Sequence, residues 1–263
     1  MKLSLSGRTV EIGGLETAMP VVDFIEMAAR CGYDAVDLRW SQLRADTPAH
    51  EVSAIAETLD RLGLDLFCGQ YNGPLDSPED ERAFLDFAGT LKGLGAHGVR
   101  MFHEPAVLKR AARLVAPLGL WVQYQMHTDS PFETIEGGAS VVASIGEPNF
   151  GLVPEPANFA LAGLEFSQNM LEPLKGAIVG VHVQTLTVSP TGEKSLRLSD
   201  GRKVRYTRVP YAENSCIPFD VFFGALLNVG FDGYVNELEP RPADGGSEAM
   251  AREAASFLGK WVR

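Results

Sequence analysis

Seven times along the chain an amphipathic, helix-like run reaches a glycine and gives way to a short β-rich stretch. The passages read AARCG–YDAVDLR, DRLG–LDLFCG, LKGLGAHG–VRMFH, VAPLG–LWVQYQ, ASIGEPN–FGLVPE, LKGA–IVGVHVQ and LLNVG–FDGYVNELE. Glycine just past the last helical turn is the residue that can take the left-handed cap conformation. With an opening strand around Lys2–Ser6, the pattern predicts eight strands. Helices are expected at about 18–31, 48–62, 79–94, 106–118, 133–145, 157–174 (broken), 218–229 and 246–261. Strands recur every ~24–32 residues, the length of one strand–helix unit with a short return loop.

Strict alternation of this kind predicts an α/β chain folded as a single (β/α)8 TIM barrel over residues 1–263. A doubly wound open sheet would need a phosphate-binding glycine loop after the first strand, and SGRTVEIGG is not GxGxxG. One long insertion, about Thr185–Pro218, follows the seventh strand. Within it, SLRLSDGRKVRY places Asp200-Gly201 between alternating residues, a two-residue hairpin signal. Lys194, Arg197, Arg202, Lys203, Arg205 and Arg208 make this segment basic. It is expected to be a lid for an anionic substrate, a solvated ribbon, or a contact between copies in a homo-oligomer.

Composition narrows the function classes. Hydrophobic residues make up 45% and charged residues 22%, enough to bury a sizeable core. A formal net charge of -11 argues against a surface built to neutralise the phosphates of nucleic acid. Cys31, Cys68 and Cys216 form no CxxC pair, so neither a disulfide framework nor a thiolate zinc site is suggested. No run of ~18 apolar residues appears and the first residues lack a signal-peptide pattern, so a cytoplasmic protein with no membrane span is expected.

Active sites of such barrels lie at the C-terminal ends of the strands. The polar residues there are Asp37 and Arg39 on the second strand, and His103 and Glu104 on the fourth. The fifth carries Gln125 and His127, the sixth Glu155 with Asn158 beyond it, and the seventh His182 and Gln184. On the eighth, Glu237 and Glu239 share a parity with Val235, and that face is read as the inward one. A single polar residue at a strand end is commonly a structural hydrogen-bonding group. His182 is more telling, because outward valines flank it and Gly180 precedes it on the inward face. Buried Glu155 and Glu237 need a counter-charge, and with His182 and an amide they suggest a divalent metal: Mn, Mg or Co, with Zn less favoured.

From GYDAVDLR through VHV to GFDGYVNELE, the chain resembles the xylose-isomerase-like TIM-barrel superfamily of sugar-phosphate isomerases and epimerases, which includes hydroxypyruvate isomerases and inosose dehydratases. The family's Glu-Asn-His run on strand five is matched by Gln125-Met126-His127, and its Asp-x-x-His/Asn by Glu155 and Asn158. Its Val-His motif is matched by Val181-His182, and its final glutamate motif by GFDGYVNELE. The resemblance implies a divalent metal held by Gln125, Glu155, His182 and Glu237. There are two departures. Gln125 stands in place of a glutamate, and the position of the last glutamate is Leu238, flanked by Glu237 and Glu239.

In these enzymes a metal holds a hydroxy-carbonyl group while a carboxylate removes the intervening C–H proton. An amide cannot exchange protons, so Gln125 disfavours epimerisation with acids on two faces. One-base isomerisation, or elimination with Glu237 as base and His103 or His127 as acid, is expected instead. The small-molecule, carbohydrate-like substrate would be a sugar, sugar phosphate or hydroxy keto acid contacted by Arg39, Glu104, Asn158 and Gln184. With one carboxylate fewer, metal occupancy is expected to be weak or absent. The second class of function is a barrel that has lost catalysis and serves as a ligand-binding or subunit-scaffold protein. The superfamily's repair nucleases need more histidines than the five here and are set aside.

Overall fold

Each expected strand is present in the computed structural model, which describes residues 1–13, 15–242 and 246–262. The strands are β1 (Lys2–Ser6), β2 (Ala35–Leu38), β3 (Asp65–Tyr71), β4 (Gly98–Met101), β5 (Trp121–Gln125), β6 (Phe150–Val153), β7 (Val181–Val183) and β8 (Tyr234–Glu237). All are parallel and pair in the order β6-β5-β4-β3-β2-β1-β8-β7. The last seam, between β6 and β7, closes through Val179 N–H to the Leu152 carbonyl (3.0 Å) and His182 N–H to the Pro154 carbonyl (3.0 Å).

The helices are α1 (Val21–Arg30), α2 (Ala49–Leu62), α3 (Pro78–Gly93), α4 (Pro105–Val115), α5 (Ile135–Ile145), α6 (Pro156–Ala162), α7 (Phe219–Asn228) and α8 (Ser247–Leu258). Their ends follow local chemistry. Ser77 and Asp80 form a reciprocal capping box at the start of α3. Gly63 ends α2 at φ 65°, where a side chain would be strained. The expected break in 157–174 is real: α6 stops at Ala162, and only a 3-10 turn, Glu172–Leu174, follows. No helix among the described residues is long and apolar enough to cross a membrane.

Outward strand residues such as Leu3, Leu5, Val36, Leu38, Val181, Val183 and Val235 join the helices in one hydrophobic layer. The inward face is different. Only its lower end is apolar, where Ala35, Phe67, Cys68 and Tyr234 cluster. A register shift in the β2–β3 pairing, between Val36 and Asp37, turns both Phe67 and Cys68 toward the barrel axis. Above them the interior is polar. Asp37 accepts from Ser6 (2.8 Å) and Asn236 (3.0 Å), and pairs with Arg100 at 3.1 Å. Arg100, fully buried, also donates to Gln70 (2.8 Å) and meets Nε2 of His182 at 3.1 Å.

Asn236 therefore faces the axis, which corrects the parity expected for β8. Val235 and Glu237 point outward, in register with Leu3 and Leu5 of β1 and with Val181 and Val183 of β7. The inward residue past the end of the strand is Leu238.

The insertion forms a small antiparallel sheet from Leu186–Val188, Lys194–Arg197 and Lys203–Arg208. Its tip differs from the expected two-residue turn. Leu198 N–H donates to the Arg202 carbonyl (2.9 Å), leaving a three-residue loop in which Gly201 takes φ 85°. A short hairpin with no counterpart in the sequence reading, Glu11–Gly13 against Glu16–Thr17, follows β1.

Gly180 lies where any side chain would collide with the Phe67 ring, since a Cβ there would sit 2.3 Å from Cζ. Gly180→Ala is expected to cost about 1–3 kcal/mol by overpacking, read as a drop in Tm. Adding Phe67→Leu should restore part of the loss. An unchanged Tm in the single variant would show that the ring does not fill this space.

Candidate functional site

At the C-terminal ends of the strands lies a cavity of about 560 Å³, roofed by the insertion. Leu196, Tyr206 and Arg208 of the insertion form part of its wall, facing Phe102 and Tyr124 across the mouth. The tip of the insertion reaches the loop after β5. Ser199 N–H donates to the Glu133 carboxylate (3.0 Å), which also accepts from Asp129 N–H (2.6 Å). Asp129 holds φ 55°, a left-handed conformation that aspartate tolerates better than most residues. The insertion thus lies over part of the mouth.

The floor is built around Glu155, which is fully buried at the start of α6. Its Oε2 accepts from the amides of Gln125 and Asn158 (2.8 Å to the latter), and its Oε1 accepts from the amide of Gln184. Asn158 also donates to the Met126 carbonyl at 2.8 Å. A carboxylate only accepts, so it turns the NH2 groups of both glutamines down toward itself. That leaves the Gln184 carbonyl oxygen to accept from Arg208 and, at 3.5 Å, from Arg8. Gln125, Asn158 and Gln184 line the cavity, with Glu155 beneath them.

His182 lies deeper. The guanidinium of Arg100 donates to Nε2, so Nδ1 carries the proton, and it has no hydrogen-bond partner among the described residues. Burial, then Arg100, Arg39 and Arg8, hold this imidazole well below its ordinary value, and it is neutral. His127 is exposed and lines the cavity. Its Nδ1 lies 3.0 Å from the Thr128 carbonyl, which accepts only, so Nε2 of the neutral ring is free to accept a proton. Arg39 lines the wall and pairs with Glu11 at 3.2 Å; burial and then Arg100 lower its value. His103 and Glu104, in the turn into α4, are not among the lining residues.

Glu237 is outside the mouth. Its Oε1 accepts from Glu239 N–H (2.8 Å), and Oε2 has no partner among the described residues. Burial, followed by repulsion from Glu239, pushes this carboxyl well above its ordinary value. Glu239 instead fastens the insertion: it accepts from Thr185 N–H and Oγ1 and pairs with Arg208 at 3.2 Å. The structure thus brings Gln125, Glu155, Asn158 and Gln184 together, keeps His182 one layer below with Arg100, and removes Glu237.

These donors do not fit a divalent cation. The lone pairs of Glu155 are met by amide N–H groups, Nε2 of His182 faces a guanidinium, and Leu238 occupies the inward place at the end of β8. Among the described residues no group of three or more His, Cys, Asp and Glu side chains is arranged to hold a metal. The ion pairs nearby are Arg100 with Asp37 in the layer below and Arg39 with Glu11 at the wall.

Sequence reasoning missed Arg8 and Arg100. Arg100 was open to discovery, because a lone charge between Val99 and Met101 in a buried strand requires a buried partner. Arg8 follows β1 directly, at the end of the barrel where sites form.

A family model for xylose isomerase-like TIM barrels matches residues 25–261. Among solved structures, the IolI protein with a bound zinc atom superposes with a TM-score of 0.76 at 19% identity, covering 100% of this chain and 98% of that one. D-psicose 3-epimerase with D-tagatose, from Clostridium cellulolyticum H10, gives 0.72 at 13% identity, covering 100% of each chain. The probable 3-DHS dehydratase AsbF of petrobactin synthesis, from Bacillus anthracis, gives 0.74 at 12% identity, covering 97% of this chain and 98% of that one. At these identities the likeness is one of fold. No curated protein matches the chain.

Two outcomes follow from the site chemistry. Titration with Mn²⁺ or Zn²⁺ followed by calorimetry is expected to show no tight stoichiometric uptake, and one equivalent bound in a His182-dependent way would contradict the donor assignment. The second concerns Glu237. A folded-state value raised above the ordinary 4.5 makes its contribution to stability complete below that pH and lost as pH rises through the folded value. Glu237→Gln removes the loss and keeps the acceptor for Glu239 N–H. Its Tm near pH 8 is expected to rise by about 2–4 °C, the effect of 1 kcal/mol in a chain of this size, with no gain below about pH 4.

Proposed function

Since the chain belongs to the xylose isomerase-like TIM-barrel family, we propose that it is a sugar-processing enzyme of the isomerase or lyase kind, acting at the barrel mouth on a small polyhydroxy carbonyl compound. The observation that carries this reading is the floor of amides pinned by Glu155. A buried carboxylate that fixes Gln125, Asn158 and Gln184 in one orientation gives a rigid set of hydrogen-bonding groups for hydroxyls, the preorganisation that a polyol site needs.

His127 supplies the base. Its Nε2 takes the proton from carbon next to the substrate carbonyl, while the Arg39 guanidinium at the cavity wall stabilises the oxygen that gains charge. The proton then goes to the former carbonyl carbon while the hydroxyl proton passes to the former carbonyl oxygen, completing isomerisation, or it goes to a hydroxyl leaving from the carbon beyond, completing elimination of water. Gln125 cannot act as a second proton-transfer group, so the chemistry runs on one face. Glu237 and His103, expected from sequence as base and acid, have no part in it because neither lines the cavity. A divalent metal such as the zinc bound in the IolI barrel is supported for barrels of this kind in general. No step here depends on one.

A second reading, a ligand-binding barrel without turnover, is favoured by Leu238 at the end of β8 and by Gln125. Deuterium exchange separates the two. With a panel of ketoses, aldoses and hydroxy keto acids in D2O, NMR is expected to show label entering beside the carbonyl of the true substrate. The rate should fall by about 10²–10⁴-fold in His127→Ala. Wild-type exchange in that variant would overturn the role of His127. Saturable binding with no exchange would favour the binding protein.

A further inference from the structure

Four guanidinium groups converge on the upper half of the barrel, and three of them have carboxylate partners: Arg100 with Asp37, Arg39 with Glu11, and Arg208 with Glu239. Arg8 forms no ion pair among the described residues. Its contacts are the Gln184 side-chain carbonyl at 3.5 Å and the Leu238 backbone carbonyl at 3.3 Å, both neutral and both long. Arg208 donates to the same Gln184 oxygen, so two cations share one uncharged acceptor beside the cavity. Burial, and then the charge of Arg208, draw the Arg8 guanidinium down to about 10. Glu239, paired with Arg208, and Glu155 beneath the floor offset part of this repulsion, but Arg8 itself has no carboxylate within ion-pair distance among the described residues, and a guanidinium so placed gains from an added anion. Among the described residues of the cavity wall the one carboxylate is that of exposed Asp129.

We propose that the mouth binds the anionic group of its ligand, a carboxylate or a phosphate monoester, on Arg8 of the barrel and Arg208 of the insertion, with Arg39 on the flank. This deepens the reading above and rests on it for the sugar-like body of the ligand. The body lies on the amide floor, and the anion sits where the lid strand meets the end of β1. Planar guanidinium forks suit both oxyanions, and the Gln184 oxygen accepts from both guanidinium groups and so holds them side by side. On a chain of net charge -11, a basic recess of this kind also concentrates anions at one point.

Thermal shift and calorimetry on the full chain test this, using inorganic phosphate, acetate, D-gluconate and the neutral polyol sorbitol at one ionic strength. At least one anion is expected to raise Tm saturably while sorbitol does not. A response to phosphate alone identifies a phosphate ester, and a response to gluconate or acetate alone identifies a carboxylate. Arg8→Gln should weaken anion binding by about tenfold or more, and Arg8→Lys by less. Arg202→Gln, at the exposed tip of the insertion and paired with Asp200, should leave it unchanged. Should Arg8→Gln fail to fold, Arg8→Lys and Arg39→Gln carry the test. Equal shifts with sorbitol, no shift with any anion, or wild-type affinity in the variants of Arg8 and Arg39 would overturn the assignment. Equal weakening by Arg202→Gln would do the same, by reducing the effect to general charge. His127→Ala should bind anions normally. Anion binding without proton exchange therefore sinks the enzymatic reading alone, and exchange on a neutral sugar without anion binding sinks this one alone.

Discussion

One buried ion pair organises the barrel. Arg100 of β4 reaches across the axis to Asp37 of β2, and the two draw in Gln70 of β3, His182 of β7, Ser6 of β1 and Asn236 of β8. Six of the eight strands thus meet in one hydrogen-bonded layer. Breaking such a pair by removing one partner costs about 3–5 kcal/mol, because the other is left charged and dry. The pair also explains why so polar an interior is tolerated: each of these six side chains has at least one polar partner, while Arg100 Nε, His182 Nδ1 and Asn236 Oδ1 have none among the described residues. Beneath it, the Phe67 and Tyr234 rings, 5.2 Å apart, seal the barrel against water from its lower end.

A second polar layer rests on the first. Gln125 of β5, Glu155 and Asn158 beyond β6, and Gln184 beyond β7 form it, so the two strands absent from the lower layer are tied into the upper one. β7 joins the layers, because His182 and Gln184 are two residues apart on the same face. Placing a permanent guanidinium on His182 has a chemical consequence. The imidazole is committed as an acceptor to Arg100 and is held neutral, so it neither ligates a cation nor exchanges a proton with the mouth. Chemistry is left to groups above the floor.

Much of this was legible in the sequence, and the failures have identifiable causes. Glycine-punctuated alternation gave every barrel strand, since both periods are dictated by burial on two sides. His182 was recognised because valines flank it. The same reasoning applied to YVNELE puts Val235 outward and Glu237 with it, opposite to the parity expected when the two glutamates are taken as the inward residues. Glu237 sits instead against the helical layer, near Tyr33 and Tyr211, where a protonated carboxyl is the favoured form. Gln125, an amide, can only hold hydrogen bonds. That it turns its NH2 toward Glu155 depends on Asn158 and Gln184 arriving from other loops, which no local pattern reveals.

The insertion shows how charge can be placed in a site by a segment that is not part of the barrel. Its first residue, Thr185, bonds through Oγ1 to the Val209 carbonyl (2.5 Å), and its N–H reaches Glu239 at the end of β8. Arg208, one residue before Val209, pairs with the same carboxylate. Both ends of the excursion are therefore tied to one point on the barrel rim, and Arg208 is directed to Gln184 from that knot. The tip contact between Ser199 and Glu133 is exposed, and exposed hydrogen bonds contribute little to stability. The position of the arginine depends on the root of the insertion and scarcely on its tip. Glu239, which flanks Leu238 at the end of β8, anchors the cation that faces the mouth.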